Sequence, residues 1–271
     1  MHAKARHVAA DSVVIDLEDS VAPEAKGDAR LLTAETVAAG GFGAREVVVR
    51  INPPNSAWFE DDLSAAAQAD PDAILITKVE TTADIAAAEA RLDRLGAPET
   101  VRLWAMIETP RGVLNCRAIA GLVLTGDSRR LDGLVLGTND IAKETRARPG
   151  KTRLPILPWL SEVVLAARAS DLFVLDGVFN DFSDAAGFEE ECVQGRDIGF
   201  DGKTLIHPSQ IDVANRVFSP SDAEVAEARE ILEAFALPEN IGKSAIRLNG
   251  RMVELLHADV ARRTLALAER C

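Results

Sequence analysis

RLWAMIETPRGVLNC (Arg102–Cys116) and LDGLVLGTNDIAKE (Leu131–Glu144) form the stretch whose reading decides the fold. Each half holds a short apolar run, Leu103–Ile107 and Gly133–Leu136, with a carboxylate beyond it, Glu108 after the first and Asp140 after the second. Gly and Pro sit beside the first run, Gly beside the second, and a helical pattern follows each. The pattern predicts strand, charged loop and helix, twice over. In parallel α/β sheets and barrels, ligands bind at the C-terminal ends of the strands. Two carboxylates there can hold a hard divalent cation together with waters and a substrate oxygen. The competing reading makes Glu108 and Asp140 caps of the helices that follow.

The same alternation extends in both directions. VVIDL (Val13–Leu17) predicts a strand that ends at Glu18-Asp19, with a helix over about 24–39. EVVVRI (Glu46–Ile51) predicts a second strand with Arg50 near its end, and a helix over about 59–68 follows. DAILIT (Asp72–Thr77) ends at Lys78 and leads to a helix over 82–95. Downstream, LFVLDGVF (Leu172–Phe179) contains Asp176 and precedes a helix over about 185–195, and GKTLI (Gly202–Ile206) ends at His207-Pro208. The last stretch predicts helices over about 221–236 and 251–270, joined by a Gly/Lys/Asn-rich connector over 238–250. Short buried strands alternating with helices predict an all-parallel sheet. Polar residues at every strand end point to a (β/α) barrel with its site on the C-terminal face. A doubly wound open sheet is the alternative, and it would gather those residues at one crevice.

The chain of 271 residues is 47% hydrophobic, enough for one large α/β core, with a net charge of −13 and no basic cluster. Nucleic acid and anionic membranes are therefore poor partners. A polyanionic substrate would need a local patch of Arg and Lys. No apolar run approaches the roughly 18 residues of a membrane-spanning helix, and no signal peptide is read at the start. The three cysteines, Cys116, Cys192 and Cys271, have no metal spacing. A cytoplasmic location is expected.

Glu108 and Asp140 are the best metal-ligand pair in the sequence. Arg50 offers a planar fork for a carboxylate. A metal ion and an arginine on one 2-oxo acid would polarise its carbonyl and hold its carboxylate, which suits making or breaking a neighbouring C–C bond. Arg50 has a structural alternative, an internal salt bridge to Glu18 or Asp19. His207 is a candidate base or a structural hydrogen-bonding partner. A Schiff base at Lys78 or Lys203 would instead give a metal-independent aldolase, and residue types leave that open.

These residues carry a resemblance. VVIDLEDSVAPEAKGDAR (Val13–Arg30), VVVRIN (Val47–Asn52), MIETPRGVLN (Met106–Asn115), GLVLGTNDIAKE (Gly133–Glu144), LDGVFNDFSDAAGFEEE (Leu175–Glu191) and GFDGKTLIHPSQI (Gly199–Ile211) are similar to the HpcH/HpaI aldolase and citrate lyase superfamily, nearest its citrate lyase β-subunit-like and malyl-CoA lyase branch. The resemblance implies a (β/α)8 TIM-type barrel, Mg2+, and cleavage or formation of 3-hydroxyacyl-CoA thioesters such as citryl-CoA or malyl-CoA. It implies Glu108 and Asp140 as metal ligands, with Glu108 also facing the substrate. Arg50 is implied as the 2-oxo acid site, with Glu18 and Asp19 lining it. NGRMVELLHADVARR (Asn249–Arg263) resembles a segment that closes over a neighbouring subunit's site, which implies a homo-oligomer, a trimer or hexamer. The acid/base position there holds Glu254 where some members have Asp. A barrel domain over 1–220 and a helical segment over 221–271 are expected. Related chains usually open with a strand of the type RSLLFVPG. This chain starts MHAKARHVAADSVVIDLED, so the expectation is a helix first and seven strands, from a truncated or misassigned start. A thioesterase of malyl-CoA type and a non-catalytic subunit of a lyase complex are the other functions the resemblance allows.

Overall fold

The apolar runs that are too short for helices become strands, and the central ones, from Glu46–Ile51 to Leu131–Leu136, are buried on both faces, as parallel sheets require. In the computed structural model, which describes residues 5–269, seven strands form one parallel sheet in strict chain order: β1 (Ser12–Asp16), β2 (Glu46–Ile51), β3 (Ala73–Ile76), β4 (Arg102–Ile107), β5 (Leu131–Leu136), β6 (Phe173–Asp176) and β7 (Gly202–Lys203). The helices between them are α1 (Lys26–Ala38), α2 (Phe59–Ala69), α3 (Thr82–Leu95), α4 (Pro110–Thr125), α5 (Thr138–Thr145), α6 (Leu157–Ala169) and α7 (Ala185–Ile198). The architecture is TIM-barrel-like, a half-barrel in which β1 and β7 are the two edges.

The inner face is a single apolar cluster of Val48, Ala73, Leu75, Trp104, Met106 and Val135, with Phe173 and Leu175 packed against it. Phe173 meets Trp104 edge-on at 4.8 Å. Its ring also fills the space above Gly133, where a Cβ would lie 2.1 Å from it. Val14 pairs in register with Val48, yet it is 40% exposed because it stands on an edge strand.

Helix ends follow local chemistry. Thr81 and Asp84 form a capping box on α3, and Gly96 at φ 71° ends it. Thr109 caps α4 by accepting from the Gly112 N–H, with Pro110 in the first turn. These details reject the cap reading of Glu108 and Asp140. The α4 cap is Thr109, and Asp140 lies inside the first turn of α5, beyond its N-cap Gly137.

Several expectations are corrected. β7 is two residues long, not five, because beyond Lys203 only the Thr204 N–H keeps the ladder, donating to the Asp176 carbonyl. Further on, Ile206 and His207 turn their N–H groups to the Gln210 side chain. The stretch before β6, assigned no element from sequence, holds α6, and a short helix α8 (Ile211–Phe218) follows β7. The segment over 251–270 is not helical throughout. β8 (Ala245–Leu248) and β9 (Arg251–Glu254) form an antiparallel hairpin, and the helix α10 (Leu255–Ala268) starts after it. Asn249 and Gly250 both have positive φ, 50° and 78°, which is the two-residue turn that matches strand twist.

The chain divides into two compact units, Met1–Asp212 and Val213–Cys271. In the second unit α9 (Asp222–Ala236) packs beside α10, burying the small residues Ala228, Ala258 and Ala261. Among the described residues no helix is long and apolar enough to cross a membrane. Cys271, Arg270 and part of the helix expected at the start lie outside the described residues.

Candidate active site

The C-terminal ends of β1 to β5 assemble the site. At the end of β1, Asp16 accepts from the N–H groups of Glu18 at 2.8 Å and Ser20 at 3.0 Å, which folds the LED segment into a tight turn. The buried ammonium of Lys26 secures that turn from behind, donating to the carbonyls of Leu17 and Glu18, both at 2.7 Å, and to Asn52 Oδ1 at 3.0 Å. Asn52 is held in turn by Asp62, itself paired with Arg30 at 2.7 Å. The loops after β1 and β2 are thus one hydrogen-bonded block.

Arg50 does have an internal salt bridge, and its principal partner is Asp16 rather than Glu18 or Asp19. Its Nε and Nη2 donate to the two Asp16 oxygens at 2.7 and 2.6 Å, and Nη1 lies 3.3 Å from Glu18 Oε2. The Nε edge of the fork is therefore taken, and the opposite edge, between Nη1 and Nη2, remains. Burial works to raise the Asp16 carboxyl, but the Arg50 bonds and charge overcome it and hold the group down at about 2. Burial would lower Arg50, and its acidic neighbours raise it instead, so the guanidinium stays charged.

Glu18 and Glu108 are buried, at 5% and 3% exposure, and Lys78 stands between them. Lys78 Nζ donates to Glu18 Oε1 at 2.6 Å and lies 3.8 Å from Glu108 Oε1, while the Lys78 N–H donates to Glu108 Oε1 at 3.0 Å. Burial pushes Glu108 up to about 8, with Lys78 opposing and the charges of Glu18 and Asp140 adding to the rise. Glu18 is raised as well, by burial first, against the pull of Lys78 and Arg50. Asp140 is about one-fifth exposed, and its charge acts on both Glu108 and Lys78. Asp19 is exposed beside Glu18, donating its N–H to Glu18 Oε2 at 3.3 Å.

Gly137 leaves room for Glu108. A Cβ at that position would sit 2.3 Å from Glu108 Oε2 and 2.4 Å from its Cβ. Gly137→Ala is expected to push Glu108 out of place and remove most activity, at least tenfold, while the sheet still folds. Turnover beside a circular dichroism melt checks this, and full turnover would mean that Glu108 has no fixed role.

The remaining sequence candidates have partners of their own. The Lys203 side chain is fully buried, bonded to Asp176 at 3.0 Å and Glu191 at 2.7 Å, and Asp176 also takes both bonds of Arg153 Nη1 at 2.8 and 2.7 Å. A nucleophilic amine needs a free lone pair, so this geometry disfavours a Schiff base at Lys203. At Lys78, burial works to lower the amine and the Glu18 bond with its acidic neighbours raises it, which keeps it an ammonium. The His207 ring stacks on Phe182 at 4.7 Å and bonds Ser209 Oγ at 2.8 Å. Glu254 belongs to the second unit, at the end of β9, where its N–H donates to His257 Nδ1 at 3.0 Å. Cys116 and Cys192 are buried thiols pushed up by burial to about 11 and about 12, so neither is a ready nucleophile. Sequence reading missed Asp16 as the partner of Arg50, although its place at the end of a strand was a visible signal.

Comparison with known proteins identifies relatives along most of the chain. Residues 1–208 match the HpcH/HpaI aldolase/citrate lyase family, and residues 152–270 match the C–C bond lyases of the TIM-barrel fold. A (3S)-malyl-CoA thioesterase of Cereibacter sphaeroides is 46% identical, covering 98% of this chain and 89% of that protein. The citrate lyase subunit beta of Escherichia coli is 32% identical, covering 96% of this chain and 86% of that protein. Among solved structures, CitE of Mycobacterium tuberculosis, in complex with magnesium, acetoacetate and coenzyme A, superposes with a TM-score of 0.78 at 29% identity, covering 96% of this chain and 91% of that one. A parallel half-barrel with its acids and arginine at the strand ends, together with matches along nearly its whole length, places this chain in the HpcH/HpaI aldolase/citrate lyase family.

Proposed function

We propose that this chain is a Mg2+-dependent carbon–carbon lyase acting on a 3-hydroxyacyl-CoA thioester of the malyl-CoA or citryl-CoA kind. The observation that carries the reading is the acidic cluster of Glu18, Glu108 and Asp140 around Lys78, with Arg50 beside it. The residues suit a hard cation. Glu108 and Asp140 are oxygen donors just beyond the ends of the neighbouring strands β4 and β5, and Glu108 is 3% exposed, a buried carboxylate whose charge a dication would offset. No three His, Cys, Asp or Glu form a ready cage among the described residues. Magnesium ordinarily takes one or two carboxylates and fills the rest with waters and substrate oxygens. The magnesium in the M. tuberculosis CitE structure supports the choice of metal.

When bound, magnesium supplies a Lewis acid for a carbonyl or alkoxide oxygen. The free edge of Arg50 pairs with the carboxylate of the 2-oxo acid portion, and Glu18 and Asp19 line that side. In the cleavage direction a base takes the proton of the 3-hydroxyl. The C–C bond breaks, and its electron pair passes to the thioester enolate. Protonation of the enolate then releases the acyl-CoA beside the 2-oxo acid. Glu254 is the proposed acid/base, contributed by the C-terminal unit of a neighbouring copy in a homo-oligomer.

A second reading has a specific support: identity is 46% to a malyl-CoA thioesterase and 32% to a citrate lyase β subunit. The two are separated by incubating malyl-CoA with protein and Mg2+. Glyoxylate without free thiol means cleavage, malate with free thiol means hydrolysis, and neither product would sink both readings. Arg50→Lys is expected to lower kcat/KM for the 2-oxo acid by about a hundredfold, because lysine keeps the charge and loses the planar two-point grip. Wild-type kinetics in that variant would leave Arg50 as the structural partner of Asp16 alone.

A further inference from the structure

Lys78 sits at the centre of the acidic cluster, and the cleavage chemistry above does not use it. Its φ is 50°, a left-handed backbone that residues other than glycine seldom adopt. In that conformation its main chain and side chain serve the same cluster. The N–H donates to Glu108 Oε1 at 3.0 Å, the ammonium donates to Glu18 Oε1 at 2.6 Å, and Glu108 Oε1 is 3.8 Å from the ammonium. These contacts join strand ends 30 and 60 residues apart in sequence. A strained residue that makes two such contacts points to a role in the site.

We propose that Lys78 is a positioning residue that shares the carboxylate cluster with the divalent cation: its N–H aims Glu108, and its ammonium keeps Glu18 from becoming a third metal ligand. The proposal rests on the reading of Glu108 and Asp140 as the metal pair. An ammonium within 4 Å of a ligand oxygen repels a dication, so it loosens cation binding. By occupying Glu18 it leaves coordination positions open for the oxygens of the 2-oxo acid. Freed from Lys78, the Glu18 carboxylate would keep only Oε2 engaged, by Arg50 and the Asp19 N–H, and its Oε1 would lose its ammonium partner.

The test is calorimetric titration of Mg2+ into the wild type and into Lys78→Gly, Lys78→Met and Lys78→Arg. Glycine accepts positive φ without strain, so the first variant removes the charge and keeps the backbone. Methionine removes the charge with the side-chain length kept. Both are expected to bind Mg2+ at least about threefold tighter than wild type, and to show a raised KM for the 2-oxo acid. Arginine keeps the charge and is expected to restore both values toward wild type. A merely structural role would move neither. Unchanged Mg2+ affinity and KM in folded Gly and Met variants overturn the proposal alone. A wild-type protein that binds no divalent cation overturns the metal reading and this proposal together.

Discussion

Glu108→Gln is expected to abolish Mg2+ binding and lower turnover by about a thousandfold or more, with the fold retained. The substitution keeps shape and removes the negative charge. Glu108 is buried, at 3% exposure, beyond the end of β4. It touches the Lys78 N–H on one side and the space left by Gly137 on the other. The same variant carries a stability signature. Glu108 has a folded pKa of about 8 against an ordinary 4.5, so the folded protein binds more protons than the unfolded chain between those values. Stability of the metal-free protein is therefore expected to fall as pH rises from about 4.5 to 8 and to level off above that. Asp16 behaves in the opposite way, with stability present above its ordinary value of 3.8 and lost as pH falls through about 2. Melting curves in EDTA across pH 4.5–9 should show the decline in wild type and a flatter profile in Glu108→Gln. Equal slopes would deny that Glu108 is the group responsible. Full activity of the variant in EDTA would remove the metal from the mechanism.

Asp176→Ala is expected to cost about 3–5 kcal/mol of stability, the usual result when one partner of a buried ion pair is removed. For a chain of this size that is a fall in Tm of roughly 5–10 °C. Asp176 has no exposure, and its oxygens receive Arg153 and Lys203 at 2.7–3.0 Å. Removing it leaves two buried cations sharing Glu191, which lies 2.7 Å from Lys203 and 3.7 Å from Arg153. β7 pairs with β6 through only two registered residues, Gly202 and Lys203, so this network adds side-chain ties to a short ladder. Thermal melts compare wild type with the variant. An unchanged Tm together with lost turnover would move Asp176 from the scaffold to the site.

Much of this molecule was legible in the sequence. The seven apolar runs, the helices between most of them, and the acids and arginine at their ends were all readable, because burial on both faces of a parallel strand and capping at a helix end are local demands. The hairpin at Asn249-Gly250 was equally local. Its Asn-Gly turn signal stands in the sequence at the junction of the expected connector and the expected helix. What the chain could not reveal is which strand-end residues meet. Glu18 and Lys78 stand 60 positions apart, and Arg50 is 34 from Asp16. Their contacts exist only because β1 to β4 pair in parallel register, which brings successive strand ends to one rim. Asp176 shows the converse. In sequence it was one more acid in the ring of strand-end residues, and in the fold it lies fully buried, held by Arg153 and Lys203. A residue's type and its distance from a strand end are fixed by sequence. Whether its charge faces a substrate or another buried charge depends on what neighbouring elements bring within a few ångströms, and tertiary packing alone decides that.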